Sequence, residues 1–281
     1  MATATPSDAA AAGSGRAGIA AVVLNSVVAL LLGGAIAVLL HNLGQWVAGA
    51  LLGGRSELFA FGVRHLPPLT GRDAAVAALT GPLLSLLVGM AMQILQPFRY
   101  RGDFAHLLWI WTACSSLMLA TVQLLLAPIG GDLARALTEL GAPGWLAWVA
   151  GVFGVLGVFS VAREWAIHST RLCGRGLARL LCFSLYPWLV AVPAGLLLAW
   201  AELTVAQVKA SDLGAGPVDE VLVLFALPAF TAFAPLSLLL LNRVLELEEP
   251  LEVRPVPVAG LIGLAVVVGA GLALAGGVAL G

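Results

Sequence analysis

Three polar side chains, His41, Asn42 and Gln45, interrupt a long apolar run within Val38–Leu39–Leu40–His41–Asn42–Leu43–Gly44–Gln45–Trp46, which continues through small and apolar residues to Gly53–Gly54. Hydrocarbon offers such groups no partner, so they must face protein or water. At 3.6 residues per turn, His41 and Gln45 lie one turn apart on the same helix face. A helix holds zinc with histidines at i and i+4, and a carboxylate beside the first activates the bound water. Here only the first imidazole is present, and amides stand at the other two positions.

Other residues could join this chemistry. Asp132 follows Pro128–Ile129–Gly130–Gly131 and opens a helix-like stretch, Leu133 to Leu140, where an acid also suits a helix N-terminus on purely structural grounds. Gly81, Pro82 and Ser85 lie in the second apolar run, where small residues permit close helix approach. His65, in an arginine-containing connector, and His168, in a basic loop, read as surface residues. His106 belongs to a candidate core helix but sits at the end opposite Asp132, roughly a membrane thickness away. The cysteines, Cys114, Cys173 and Cys182, form no C-x-x-C pair, so neither a disulfide framework nor a cysteine zinc site is expected.

The elements that must position these groups are membrane helices. Of 281 residues, 60% are hydrophobic and 10% charged, and the mean hydropathy is +1.02; soluble domains carry about a quarter charged residues. A net charge of −1 with scattered basic residues leaves no footprint for nucleic acid. Lys209 is the only lysine, and the abundance of Ala, Gly, Leu and Arg suggests a high-GC bacterial gene and a place in the bacterial inner membrane. The arginines concentrate on connectors sharing a side with the N-terminal segment, which the positive-inside rule puts in the cytoplasm.

Taken in order, residues 1–18 read as a disordered tail. Ile19 to Leu52 exceeds the length that spans a bilayer, so either one helix begins early and tilts or Gly33–Gly34 breaks it. One helix from an Asn25 N-cap to a Gly53–Gly54 C-cap is favoured. Leu58 to Val63 predicts an extended segment or hairpin at the membrane edge, with Phe59 and Phe61 equally suited to interfacial anchoring. Further spans are expected over Asp73–Leu95, Phe104–Leu126, Trp145–Val161, Leu180–Ala201, Val221–Leu241 and Val258–Leu280, the fifth carrying Pro187 and Pro193 as kink sites. The result is an all-α polytopic membrane protein with about 6–7 transmembrane helices and a short extended segment after the first.

The pentapeptide His41–Asn42–Leu43–Gly44–Gln45 resembles the H-E-L-G-H segment of the site-2 protease family, intramembrane zinc metalloproteases. Gly81–Pro82–Leu83–Leu84–Ser85 resembles that family's G-P-x-x-N segment, with Ser85 in place of asparagine. Leu126–Ala127–Pro128–Ile129–Gly130–Gly131–Asp132–Leu133 resembles its L-P-x-x-x-x-D-G segment, with a shorter Pro-to-Asp spacing and Leu133 in place of glycine. The three follow the family's order over the first half of the chain. The resemblance implies a three-helix core over residues 19–141, a strand pair that helps align substrate, and additional helices over 142–281. It implies zinc held by His41 and Asp132, with Gln45 at the second-histidine position and Asn42 at the general-base position.

Those departures bear directly on activity. An amide at position 42 accepts no proton at neutral pH, and removing a general base typically costs about 10²–10⁴-fold in rate. With Gln45 a poor ligand, two protein ligands remain where catalytic zinc takes three. The expectation is therefore a non-proteolytic relative with a binding or regulatory role, no bound cofactor, and the lipid bilayer and a membrane protein as partners. An active membrane metallopeptidase with an altered site, retaining zinc, stays open, as does an unrelated transporter or scaffold.

Overall fold

The computed structural model describes residues 6–60, 62–173, 176–212, 228–241 and 258–280. Five helices among them are long and apolar enough to cross a membrane, and the chain is a helical membrane protein. The first, α1, runs unbroken over Pro6–Leu51. Its apolar part, Ala20–Leu51, has 32 residues, about 48 Å of helix against a hydrocarbon layer of about 30 Å. Two expectations are corrected here. Residues from Pro6 onward are helical, and Asn25 lies inside the helix and is buried, so it is no N-cap. Alanine, the strongest helix former, is the commonest residue of this N-terminal stretch and lets the apolar helix propagate backwards.

Gly33–Gly34 does not break α1. A Cβ at Gly33 would lie 2.9 Å from both the backbone nitrogen and the Oγ1 of Thr112, so the glycine serves close approach to a neighbouring helix. That neighbour is α3 (Phe104–Leu126), reached through α2 (Gly71–Leu95). The Asp103 side chain caps α3 by accepting from the His106 backbone N–H at 3.2 Å. Between α1 and α2, strands β1 (Arg55–Phe59) and β2 (Gly62–Leu66) pair antiparallel as a hairpin, Arg55 opposite Leu66 and Phe59 opposite Gly62. Phe61 lies outside the described residues.

After α3 the chain turns through α4 (Gly131–Glu139) into α5 (Trp145–Cys173). The expected end of α5 at Val161 is corrected. The helix continues through the basic stretch, burying His168 and Arg171, because Val161, Ala162, Trp165 and Ala166 keep an apolar stripe in register with α3. Leu177–Leu180 forms a short α6, Leu181–Leu185 a π-helical turn, and Tyr186–Asp212 the helix α7. The π-turn immediately precedes Pro187, whose ring clashes with the carbonyl four residues back; the wider turn relieves that clash, while Pro193 stays inside α7.

The expected span Val221–Leu241 falls partly outside the described residues; its described part is helical over 228–231 and again in the short helix α8 (Phe233–Ser237). The expected span Val258–Leu280 is also corrected. Helix α9 covers Val258–Leu274, and beyond a glycine-bearing turn Val278–Leu280 forms β3, which pairs antiparallel with β1. Gly276 and Gly277 follow the helix, and Gly277 takes φ +74°, a glycine-favoured exit from a helix. The sheet order is β2–β1–β3.

The core lies where α3 meets α1, α5, the π-turn and α8. Trp111 of α3 lies against Trp165 of α5 with ring centroids 3.9 Å apart. Phe183 stacks on Trp165 at 5.1 Å, and Phe233 meets it edge-on at 5.3 Å. The Trp165 indole donates to Ser184 Oγ at 2.9 Å, satisfying its polar end in a fully buried place. One hydrophobic cluster thus draws on both halves of the chain.

Close helix contact in lipid depends on small residues. At Gly154 a Cβ would run into the Leu124–Leu125 backbone of α3, whereas at Gly269 it would meet nothing within 4 Å. Gly154→Leu is expected to destabilise the detergent-solubilised protein by about 1–3 kcal/mol, the range for overpacking, and Gly269→Leu to leave its melting temperature unchanged. Equal melting of the two variants would contradict glycine-mediated α3–α5 packing.

Candidate functional site

Two faces of the C-terminal part of α1 hold different elements. His41 and Gln45 face α2 and α4, while Asn42, Trp46 and Gly49 face the hairpin. The spacings of four and three residues place each set along one helical stripe.

His41 is buried at 6% exposure and is gripped at both ring nitrogens. Nδ1 lies 3.2 Å from Ser85 Oγ on α2. Nε2 lies 2.9 Å from Asp132 Oδ2 at the start of α4. The Gln45 amide makes a longer contact of 3.4 Å to the same Nε2. With Nε2 carrying the proton and donating to the carboxylate, Nδ1 accepts from the serine hydroxyl, and every polar atom of the ring has a partner.

The motif residues around this ring have specific structural work. A Cβ at Gly81 would lie 2.7 Å from His41 Nε2, so only glycine lets α2 lie flat against the imidazole. Pro82, inside α2, removes one backbone donor and frees the carbonyl of Ala78. Pro128 rests on α5, its Cγ 3.2 Å from where a Cβ on Gly151 would sit. Gly131 takes φ +89°, turning the chain so that Asp132 enters the first turn of α4. The Asp132 backbone N–H donates to Gln123 Oε1 at 3.0 Å. At the other end of α4, Glu139 Oε2 accepts from the Gly71 N–H at 2.6 Å, fixing α4 to the start of α2.

On the other stripe, Asn42 Nδ2 donates to the Ala60 carbonyl at the hairpin turn, at 3.4 Å. The Trp46 indole donates to the Ser56 carbonyl at 2.9 Å. Ser56 Oγ and His65 Nδ1 lie 2.8 Å apart across the two strands, and both rest directly on Gly49. His65 is therefore corrected from a surface residue to a buried one. Its partner in the strand register is Ser56, and the polar pair is packed against a glycine of α1. Residue type and local charge around His65 gave no sign of this; the helical spacing of Asn42, Trp46 and Gly49, matched to the hairpin register, is the signal that carries it.

His168 is corrected in the same way. It is buried, and its Nε2 lies 3.1 Å from Gln93 Oε1 near the C-terminal end of α2, well away from His41. His106, at the first turn of α3, is buried at that end too. Neither reaches the His41 ring.

The chemistry available to the cluster follows from these contacts. Among the described residues no group of three or more His, Cys, Asp or Glu side chains converges on one point. His41 and Asp132 are the two zinc-type donors, and Gln45 adds only a neutral amide. Catalytic zinc takes three protein ligands and a water, so this donor set does not fit the metal. The order Ser85–His41–Asp132 also matches the order of groups in a nucleophilic triad. Ser85 is 1% exposed, however, and Gly81 of the same helix is pressed on the imidazole, so an acyl carbon has no approach to its oxygen. The cluster acts as a clamp that joins α1, α2 and α4. No protein-family model matches this chain, and no curated protein or solved structure shows significant similarity to it.

Burial, with the Arg135 charge on α4 as a smaller contribution, holds the His65 imidazole below its ordinary value of 6.5. The unfolded hairpin therefore takes up a proton at a higher pH than the folded one. The stabilisation is complete above pH 6.5 and declines as pH falls from there through the folded value. Amide protection factors in β1 and β2, taken against the intrinsic exchange rate at each pH, should fall on acidification through this window, and His65→Gln should flatten the profile. A pH-independent wild-type profile would refute the assignment.

Proposed function

We propose that this chain is a non-proteolytic membrane protein whose first three membrane helices and hairpin follow the site-2 protease arrangement, with the former metal position rebuilt as a hydrogen-bonded clamp. Its role on this reading is to bind and hold another membrane protein. The observation that carries the reading is that both His41 nitrogens are already taken, by Ser85 and Asp132. Asn42 adds support, because it donates to the Ala60 carbonyl. A glutamate in that place would set a carboxylate against a carbonyl oxygen, so the residue at the general-base position is suited to holding the hairpin.

Two measurements test this. Protein extracted in detergent at neutral pH should carry substoichiometric zinc by elemental analysis; one tightly held zinc per chain, lost in His41→Ala, would overturn the reading in favour of an active peptidase. The double substitution Asn42→Glu and Gln45→His places a second imidazole one turn from His41 and an acid beside it. It should bind zinc with a Kd of about 1 μM or tighter, near −8 kcal/mol, and a further Asp132→Ala should abolish that binding. A folded double variant indifferent to zinc would remove the site-2 protease relationship and leave only a packed polar cluster.

A further inference from the structure

The end of the bundle away from the His41 cluster gathers basic side chains in a buried place. There α2 ends, α3 begins and α5 ends. The Trp109 indole of α3 donates to the Met92 carbonyl of α2 at 2.7 Å, and Gln93 Nε2 of α2 donates to Cys114 Sγ of α3 at 3.4 Å. His168 of α5 reaches the same glutamine, its Nε2 lying 3.1 Å from Gln93 Oε1. Around this junction His106, His168 and Arg171 are all buried, at 2, 3 and 8% exposure.

His168 uses only half of its ring. Because the Gln93 amide nitrogen donates to Cys114, the oxygen that faces His168 must accept, and the proton sits on His168 Nε2. Its Nδ1 is buried and has no hydrogen-bond partner among the described residues. Leaving such an atom unmatched inside a protein is unfavourable. His41, by contrast, has both nitrogens taken.

The charges around this nitrogen are basic. The groups whose charge reaches His168 are His106, Arg171 and Arg99. Two carboxylates at the same end, Asp103 and Glu164, are matched to Arg101 at 2.6 Å and to Arg163 at 3.7 Å. Arg99 stands exposed on the turn between α2 and α3, its guanidinium over the Tyr100 ring at 5.5 Å from the centroid, and forms no ion pair among the described residues. Basic groups crowded together repel one another, and an anion placed among them turns that repulsion into binding. With a proton on each nitrogen, the His168 ring would donate to Gln93 on one side and to an anion on the other.

The depth of the junction narrows the kind of anion. α3 has 23 residues, about 34 Å of helix against a hydrocarbon layer of about 30 Å. His106, in its first turn, therefore lies at the edge of the hydrocarbon, at the level of lipid phosphates. Next to Gln93, the α2 surface exposes Ile94 and Leu95, an apolar flank suited to an acyl chain. Basic pockets between membrane helices at this depth take anionic headgroups.

We propose that the junction of α2, α3 and α5 is a site for the phosphate of an anionic phospholipid, with His168 Nδ1 and the Arg99 guanidinium donating to its oxygens and His106 and Arg171 adding positive charge. The inference concerns the other end of the bundle from the proposed function. It holds whether or not His41 binds metal and whether or not the chain is related to site-2 proteases.

The test uses the full chain in an uncharged detergent. The probe is phosphatidylglycerol with a fluorophore on one acyl chain, competed with unlabelled phosphatidylglycerol, phosphatidylcholine or excess inorganic phosphate at matched ionic strength. One probe should bind per chain, and phosphatidylglycerol should compete about tenfold better than phosphatidylcholine, the scale of one charge-assisted hydrogen bond. Inorganic phosphate should not displace the probe; displacement would overturn the lipid as ligand in favour of the free anion. Arg99→Gln and His168→Gln should each remove the preference for phosphatidylglycerol. Glutamine at position 168 keeps a donor for Gln93 while deleting Nδ1, and melting temperature checks that the variant folds. Arg179→Gln deletes an equal charge from an exposed position just after α5 and should leave the preference unchanged. The proposal is overturned if the two lipids compete equally, or if Arg99→Gln or a folded His168→Gln retains the preference. It is overturned too if Arg179→Gln weakens binding as much as Arg99→Gln, which would make the attraction a diffuse basic surface. Should His168→Gln not fold, Arg99→Gln and Arg179→Gln decide.

Discussion

A polar group inside a bilayer must find its partner within the protein, and His41 is where this constraint bears hardest on the chain. An imidazole near the C-terminal end of a long apolar helix has two nitrogens to satisfy. Ser85 takes one and Asp132 the other. Each bond reaches a different element, so satisfying one side chain fixes α2 and α4 against α1. The glycine at position 81 is a consequence, because α2 can come close enough to deliver Ser85 only if nothing projects between its backbone and the ring.

The same logic runs along the neighbouring stripe of α1. Asn42, Trp46 and Gly49 present a donor, a second donor and an open surface to the hairpin, and the hairpin answers with two carbonyls and a Ser–His pair. A single helical segment thus organises helices on one side and a sheet on the other. The Arg64–Glu57 pair, 2.6 Å across the strands, is peripheral to this; it is partly solvent-exposed, and such pairs contribute about 0–1 kcal/mol. What holds the hairpin to the helix is the set of less exposed contacts beneath it.

Farther from the site, the order of importance passes from hydrogen bonds to shape. Lipid is as apolar as leucine, so helices associate through close packing and not through exclusion of water. Trp111, Trp165, Phe183 and Phe233 provide the bulk, and glycines on α1 and α5 provide the access. Because this aromatic cluster draws on α3, α5, the π-turn and α8, the first three helices are not a free-standing unit in this chain, whatever their ancestry.

The sequence by itself determined the membrane class, the limits of α2 and α3 to within a few residues, and the polar set His41, Asn42, Gln45, Ser85 and Asp132 as the place to look. Long apolar runs, proline–glycine punctuation and helical spacing are local properties, and a chain displays them before it folds. Tertiary structure alone decided three other matters. His65 and His168 are buried, although each lies close to an arginine in sequence, because their surroundings come from α1 and α2. α5 runs past its expected end because α3 covers its last turns. The last described residues leave their helix to pair with β1, some two hundred residues earlier in the chain, and a pairing across that separation depends on where α9 brings the backbone. Composition, period and turn chemistry are written along the chain; which surface meets which is set only when the helices are packed.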